Sequence, residues 1–201
     1  MRWILRAGIF FIVWSIVAGV GRCEDMKSSY EKATFAGGCF WGMEKYFSEM
    51  EGVISTRVGY TGGTAKNPSY AVVCTGLSGH AEAVEITYDP SRLSYEDLLE
   101  FFFLHHDSTT LNRQGPDVGT QYRSVIFYHT PAQQQAALKA KELLDRSGVF
   151  KKPVVTEIKA TGEFYAAEDY HQKYLEKNPH GYCSIHLQPK RVSEILRLAR
   201  R

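Results

Sequence analysis

Cysteine is scarce in this chain: four occur in 201 residues, and no two stand in a Cys-x-x-Cys pair. That spacing is what a structural zinc site or a thioredoxin-type redox motif needs, so neither is indicated, and four thiols are too few for a disulfide-built scaffold. An excess of charge is lacking as well, since 24 Lys+Arg stand against 22 Asp+Glu for a formal net charge of +2. A balanced surface leaves no electrostatic footprint for nucleic acid. The basic end (Lys190, Arg191, Arg197, Arg200, Arg201) reads as the solvated face of a final helix that buries Val192, Ile195, Leu196 and Leu198. Repeats, low-complexity stretches, a Gly-x-Ser-x-Gly elbow, a P-loop and a dinucleotide fingerprint are all missing. His105-His106-Asp107 has the look of metal ligands. Adjacent helical positions diverge, however, and no further ligand follows at suitable spacing, so the run reads as a helix C-terminus whose imidazoles complement the dipole.

Long apolar runs are absent after the first twenty residues. Residues 7–20 are almost wholly apolar, preceded by Arg2 and Arg6 and followed by Gly21 after the small residues Ala18 and Gly19. That is the layout of a secretory signal peptide, and the run is shorter than the ~20 residues a spanning helix needs. Residues 1–21 are therefore expected to be a signal peptide and the protein exported, periplasmic or secreted; the alternative is a membrane anchor over residues 7–21. Cys23 raises a lipoprotein, but Arg22 stands where such a signal wants a small residue. Residues 22–30 read as a polar linker and residues 31–201 as a single domain.

Within that domain, strand and helix patterns interleave. Strands are expected over 33–36, 52–60, 81–88, 122–129 and 154–160, and helices from residue 40, over 94–106, from 131 to Gly148, and over 166–177. Thr130 reads as an N-cap, with Pro131 at the first helical position and Gln133 completing a capping box. A long polar loop spans 107–121, and the chain turns irregular from Asn178 to Pro189. The interleaving implies α+β architecture, one sheet with helices packed on it and long loops.

What is present in that frame is a thiol in an unusual setting. Gly37-Gly38-Cys39-Phe40-Trp41-Gly42 puts Cys39 between glycines and two aromatic rings, where a strand gives way to a helix. At a helix start, free N–H groups and the dipole favour a thiolate, and the rings offer an apolar wall. The other reading is one more small buried hydrophobe. Glu82 falls on the same strand face as Val84, Ile86 and Tyr88. Buried there it would stay protonated and could act as a general acid; at a frayed strand start it would simply be solvated. Tyr70 and Tyr122 sit at element junctions and could donate to a partly negative oxygen, though twelve tyrosines make a structural role the common one. Asp117 could touch substrate or cap a turn. Cys183, in a segment built to be non-helical, could reach a thiol that has just been oxidised or be a free surface cysteine. Cys74 lies in an apolar run and reads as core.

Taken in order, Gly-Cys-Phe-Trp-Gly (38–42), Gly-His-Ala-Glu-Ala-Val (79–84), Asn112-Arg113-Gln114-Gly115, Gly119-Thr120-Gln121-Tyr122-Arg123-Ser124 and the Asn178–Cys183 segment resemble the A-type peptide methionine sulfoxide reductases. The resemblance runs from about Ala33 to Cys183. It implies a two-layer α+β sandwich with a mixed sheet and a ferredoxin-like core. It also implies stereospecific reduction of the S epimer of methionine sulfoxide, free or in proteins, without metal or organic cofactor. Residue by residue, Cys39 matches the nucleophile, and Phe40 and Trp41 the cage for the substrate methyl. Tyr70, Glu82 and Tyr122 match the groups that hold and protonate the sulfoxide oxygen, Asp117 matches a substrate-contacting acid, and Cys183 the resolving thiol. The implied partners are oxidised proteins, free methionine sulfoxide and a thioredoxin or thioredoxin-like reductant, with the enzyme itself a monomer. Ser108 departs from the family, where proline is common. Against this stand a thiol peroxidase that shares the thiol-to-sulfenate step, and a non-catalytic module that binds oxidised methionine.

Overall fold

The computed structural model describes residues 30–198 apart from residue 186. The expected leader, the anchor alternative over residues 7–21, most of the linker and Cys23 lie outside the described residues. Strands β1 (Glu31–Ala36), β2 (Val53–Thr61), β3 (Ala81–Tyr88), β6 (Val125–Tyr128), β7 (Glu157–Ala160) and β8 (Tyr165–Ala166) form one sheet in the order β7-β6-β1-β3-β2-β8. Only β6 and β7 run parallel; every other pairing is antiparallel, so the sheet is mixed as expected. Helices α1 (Phe40–Ser48) and α3 (Tyr95–Leu104) connect β1 to β2 and lead from β3 toward β6. With the central order β6-β1-β3-β2, this is the βαββαβ arrangement of a ferredoxin-like core.

The alternation in β3 sets the layers. Glu82, Val84, Ile86 and Tyr88 point to the helix side, where they join Phe35, Val58, Phe47 and Phe102 in the main core. Phe35 is at its centre, stacked on Phe47, Tyr95 and Phe102 at centroid distances of 5.3, 6.1 and 5.0 Å. Each such fully buried ring contributes about 1.5–3 kcal/mol of transfer free energy. Ala81 and Ala83 face the other way and share a smaller cluster with Ala36, Val125 and Phe127.

The helix signals hold with one shift. Ser94 caps α3 with a reciprocal Asp97 box. In α4 (Pro131–Ser147), Thr130 Oγ1 accepts from the Gln133 N–H at 3.2 Å, and Gly148 closes the helix in the left-handed region at φ 66°. The Gln133 side chain accepts from the His129 N–H instead, one residue before the cap. His105 and His106 do end α3: their Nδ1 atoms lie 2.8 and 2.6 Å from the Phe101 and Phe102 carbonyls. His106 Nε2 then meets Ser124 Oγ at 2.7 Å, which meets Thr156 Oγ1 at 2.8 Å, and burial holds this imidazole down to about 4. Among the described residues no cluster of three or more His, Cys, Asp or Glu could hold a metal.

Four expectations need correction. The span 166–177 is not one helix: β8 and turns occupy it up to α5 (Tyr174–Lys177), because Glu168, His171 and Gln172 turn inward to bond the sheet edge and the site instead of lining a helix face. Cys74 is exposed, at the end of a short helix α2 (Tyr70–Cys74) whose buried residue is Val73. Leu198 is exposed at the end of α6 (Arg191–Leu198), which buries Val192 and Leu196. The long loop folds locally into a hairpin of β4 (Arg113–Gln114) and β5 (Asp117–Val118), then a 3-10 turn at Thr120–Tyr122.

Candidate active site

Cys39 is the N-cap of α1, with φ −60° and ψ 124°, and its side chain accepts no capping bond from the cap positions. Gly38, at φ +91°, has no room for a side chain, since a Cβ there would lie 2.5 Å from Gln114 Cγ. Gln114 is itself clamped between the N–H and the carbonyl of Asp107, at 2.8 and 3.0 Å. The thiol is therefore held between the end of β1 and the polar loop, 8% exposed. Burial pushes the Cys39 thiol up, the fields of Glu82, Asp117 and Cys183 add to that, and only the Trp41 N–H pulls the other way. The thiolate expected from the helix terminus is not the resting form; desolvation outweighs the dipole.

Glu82 is the second residue of β3 and 1% exposed, which removes the frayed-strand reading. Its Oε2 accepts from the Phe40 N–H at 3.2 Å, tying the acid to the residue after Cys39. Burial raises this carboxyl to about 8, against the opposing Phe40 bond and with a smaller push from Asp117. At neutral pH the pair is a thiol and a carboxylic acid.

Tyr70 opens α2 and Tyr122 ends the 3-10 turn, and the field of Glu82 reaches both hydroxyls. Burial raises both well above the usual phenol range, so both remain O–H donors. Asp117 lies in β5. Its Oδ1 accepts from the Tyr182 hydroxyl at 2.8 Å, and its Oδ2 is buried with no hydrogen-bond partner among the described residues. An unpaired buried carboxylate oxygen is costly, and it leaves an acceptor unused at this site.

Trp41 is clamped by residues that sequence reasoning missed. Its Nε1–H donates to His171 Nδ1 at 3.0 Å, and its ring stacks on Tyr174 at 3.8 Å with 15° between planes. Phe40 packs against Tyr60 and His171 at 5.9 and 5.1 Å. Glu168 anchors the other side, accepting from the Tyr70 N–H and the Tyr60 hydroxyl, both at 2.8 Å. The segment that carries His171 and Tyr174 is fastened twice. The Gln172 side chain accepts from the Val58 N–H at 3.0 Å and donates to the Val58 carbonyl at 2.9 Å, and buried Glu44 of α1 accepts from the Lys173 N–H at 2.6 Å. Lys173 turns in the left-handed region at φ 52°, which launches α5 over the tryptophan. A signal existed: read as a helix, 168–175 would have set Glu168, His171 and Gln172 on one polar stripe facing inward.

Cys183 completes the set. It is exposed, and its Sγ would lie 3.0 Å from a Cβ on Gly42, one turn along α1 from Cys39. Both thiols are free. The fields of Glu82, Asp117 and Cys183 thus reach Cys39, and that of Glu82 reaches Tyr70 and Tyr122.

A buried thiol beside a neutral carboxylic acid, walled by aromatic rings on a ferredoxin-like sheet, defines a thiol-dependent oxidoreductase. Comparison with known proteins gives the same class. Residues 31–198 match the family model described as peptide methionine sulfoxide reductase. A peptide methionine sulfoxide reductase MsrA from Methanothermobacter thermautotrophicus is 60% identical over 158 residues, 79% of this chain and 94% of that one. Among solved structures, reduced Mxr1 from Saccharomyces cerevisiae superposes with a TM-score of 0.74 at 38% identity, covering 80% of this chain and 93% of Mxr1. Methionine sulfoxide reductase A of Corynebacterium diphtheriae gives 0.73 at 41% identity, covering 77% of each chain. The chain belongs to the peptide methionine sulfoxide reductase family.

Proposed function

We propose that Cys39, Glu82, Tyr70 and Tyr122 carry out the reduction of methionine-S-sulfoxide, free or within proteins, with Cys183 as the resolving thiol. The single observation that carries the assignment is the buried Glu82 carboxyl fixed on the N–H of Phe40, the residue after Cys39. Phe40 and Trp41 receive the substrate methyl, and the free Oδ2 of Asp117 accepts from a donor elsewhere on the substrate. The two tyrosine hydroxyls donate to the sulfoxide oxygen. Cys39 sulfur attacks the sulfoxide sulfur while Glu82 passes its proton to the oxygen, and the carboxylate then takes up the thiol proton. The oxygen then passes to the Cys39 sulfur: the substrate S–O bond and the transient bond between the two sulfurs break, a Cys39 S–O bond forms, methionine leaves and Cys39 is oxidised to a sulfenic acid. Cys183 condenses with it, releasing water and leaving a disulfide.

Reopening that disulfide takes an external dithiol. Yeast Mxr1 has also been solved in complex with Trx2, and a thioredoxin or thioredoxin-like donor is the reading for this chain. The apolar run after Arg6 supports an exported enzyme, which would need a donor of that type outside the cytosol. Single-turnover reduction of a methyl sulfoxide, followed by mass spectrometry, tests the assignment. Cys39→Ser should release no methionine, whereas Cys183→Ser should release one equivalent and stop. Full turnover in Cys39→Ser protein would overturn it.

A further inference from the structure

A glycine inside a helix costs roughly 0.5–1 kcal/mol relative to alanine, so Gly42 in the first turn of α1 calls for a reason. The helix backbone does not supply one, since Gly42 is absent from the positions of positive φ. Space does. A Cβ at Gly42 would lie 2.8 Å from Ile185 Cγ1, 3.0 Å from Cys183 Sγ and 3.4 Å from Ile185 Cδ1. These three nearest atoms all belong to the C-terminal tail, which packs into the space a side chain would take. That tail is pinned on either side of the crossing, by the Tyr182 hydroxyl on Asp117 and by the Gln188 N–H on the Leu104 carbonyl at 2.8 Å. Between the pins, Cys183 and Ile185 lie over Gly42. Cys39 caps the turn to which Gly42 belongs, and the field of Cys183 reaches the Cys39 sulfur. The bare glycine therefore sets the depth at which Cys183 rides beside Cys39.

We propose that Gly42 is a positioning residue for the resolving step: its lack of a side chain lets the tail seat Cys183 within reach of the Cys39 sulfenic acid. The inference rests on the reading of Cys183 given above. In the step concerned, Cys183 sulfur attacks Cys39 sulfur, the Cys39 S–O bond breaks, an S–S bond forms, and the hydroxyl leaves as water with the Cys183 proton. Gly42 has no part in the earlier oxygen transfer, which Glu82 and the tyrosines face from β3 and the loops.

The test is Gly42→Ala, read in two phases on the full chain. Alanine's better helix propensity offsets part of the crowding against Ile185, so the fold should survive with only a modest fall in melting temperature. With methyl sulfoxide substrate, methionine release in a single turnover should stay within about twofold of the unsubstituted protein. Disulfide formation, followed by loss of dimedone-reactive sulfenic acid, should slow by about tenfold or more, the size expected for an overpacked contact. In a Cys183→Ser background, where the sulfenic acid persists, Gly42→Ala should leave methionine release unchanged. Disulfide formation at the unsubstituted rate would overturn the proposal, and so would an equal slowing of both phases, which would make Gly42 a general packing residue. If the Cys183→Ser protein itself formed an intramolecular disulfide at the normal rate, the assignment of Cys183 would fail, a result distinct from either of these.

Discussion

The Phe40 N–H donates to Glu82 Oε2 at 3.2 Å, so the acid on the sheet is tethered to the first residue of the helix that Cys39 caps. Sheet and helix cannot shift against each other without parting the proton donor from the sulfur. Replacing Glu82 by glutamine keeps an acceptor for that N–H and removes the transferable proton. Glu82→Gln should lower the single-turnover rate by about 10²–10⁴, the usual share of a general acid, with little change in substrate affinity. Rapid-quench kinetics with methyl sulfoxide would show it.

The same carboxyl sets a pH dependence. Held up to about 8 by burial, Glu82 delivers its proton only below that value. The single-turnover rate should fall as pH rises through about 8, and the descending limb should vanish in Glu82→Gln. Cys39, pushed higher still by its burial, brings no rising limb into that range.

Stability should fall with rising pH as activity does, and from the same carboxyl. A carboxyl raised from 4.5 to about 8 on folding leaves the folded state less favoured once the unfolded chain ionises. Its contribution is fully present below 4.5 and is lost progressively as pH rises to about 8. Thermal melts should therefore find Glu82→Gln more stable than the unsubstituted protein at pH 9 and little different at pH 4. An equal difference at both values would contradict the burial argument.

The clamp on Trp41 predicts a split in kinetic constants. Removing His171 takes the partner from the indole N–H in a half-buried site, a loss of about 0.5–1.5 kcal/mol felt where the substrate methyl rests. His171→Ala should raise KM by about tenfold while kcat changes far less. Glu44→Ala should reach the same cage from behind, because it frees the Lys173 N–H and with it the segment that stacks Tyr174 on Trp41. A cost of about 2 kcal/mol in urea denaturation is expected, with part of the KM effect, and Glu44→Gln should restore most of both.

A signal peptide over residues 1–21, the reading of the apolar run proposed above, predicts a mature chain that begins near residue 22. Expression of the full sequence, followed by intact-mass measurement and fractionation, should find residues 1–21 removed and the protein outside the cytosol. An uncleaved chain in the membrane fraction would mark the segment as an anchor.

Periodicity made the core legible. β3 announced itself through Val84, Ile86 and Tyr88, and the position of Glu82 on that face followed from counting by twos. Thr130, Pro131 and Gly148 marked α4 because capping is local chemistry. The site residues came from motif order: no periodicity could bring Cys39, Asp117 and Cys183 together across the chain. What stayed hidden was the stretch 166–177, where helix-compatible residues follow a different course. Its hydrogen bonds run to Val58, Trp41 and Glu44, partners more than a hundred residues away, and such tertiary bonds leave no local trace. Cys39 illustrates the converse. Its helix-terminal position was readable, but its protonation is decided by burial, which only the folded chain defines.

Gln172 has one more consequence. By meeting both the N–H and the carbonyl of Val58, its amide side chain imitates a neighbouring strand just where β8 has stopped. An open strand flank invites pairing with any extended chain that passes. A protein that handles oxidatively damaged polypeptides meets such chains routinely, and here the flank nearest its binding cage is already occupied by one of its own side chains. Gln172 thus closes with a side chain the part of the β2 flank that β8 leaves uncovered.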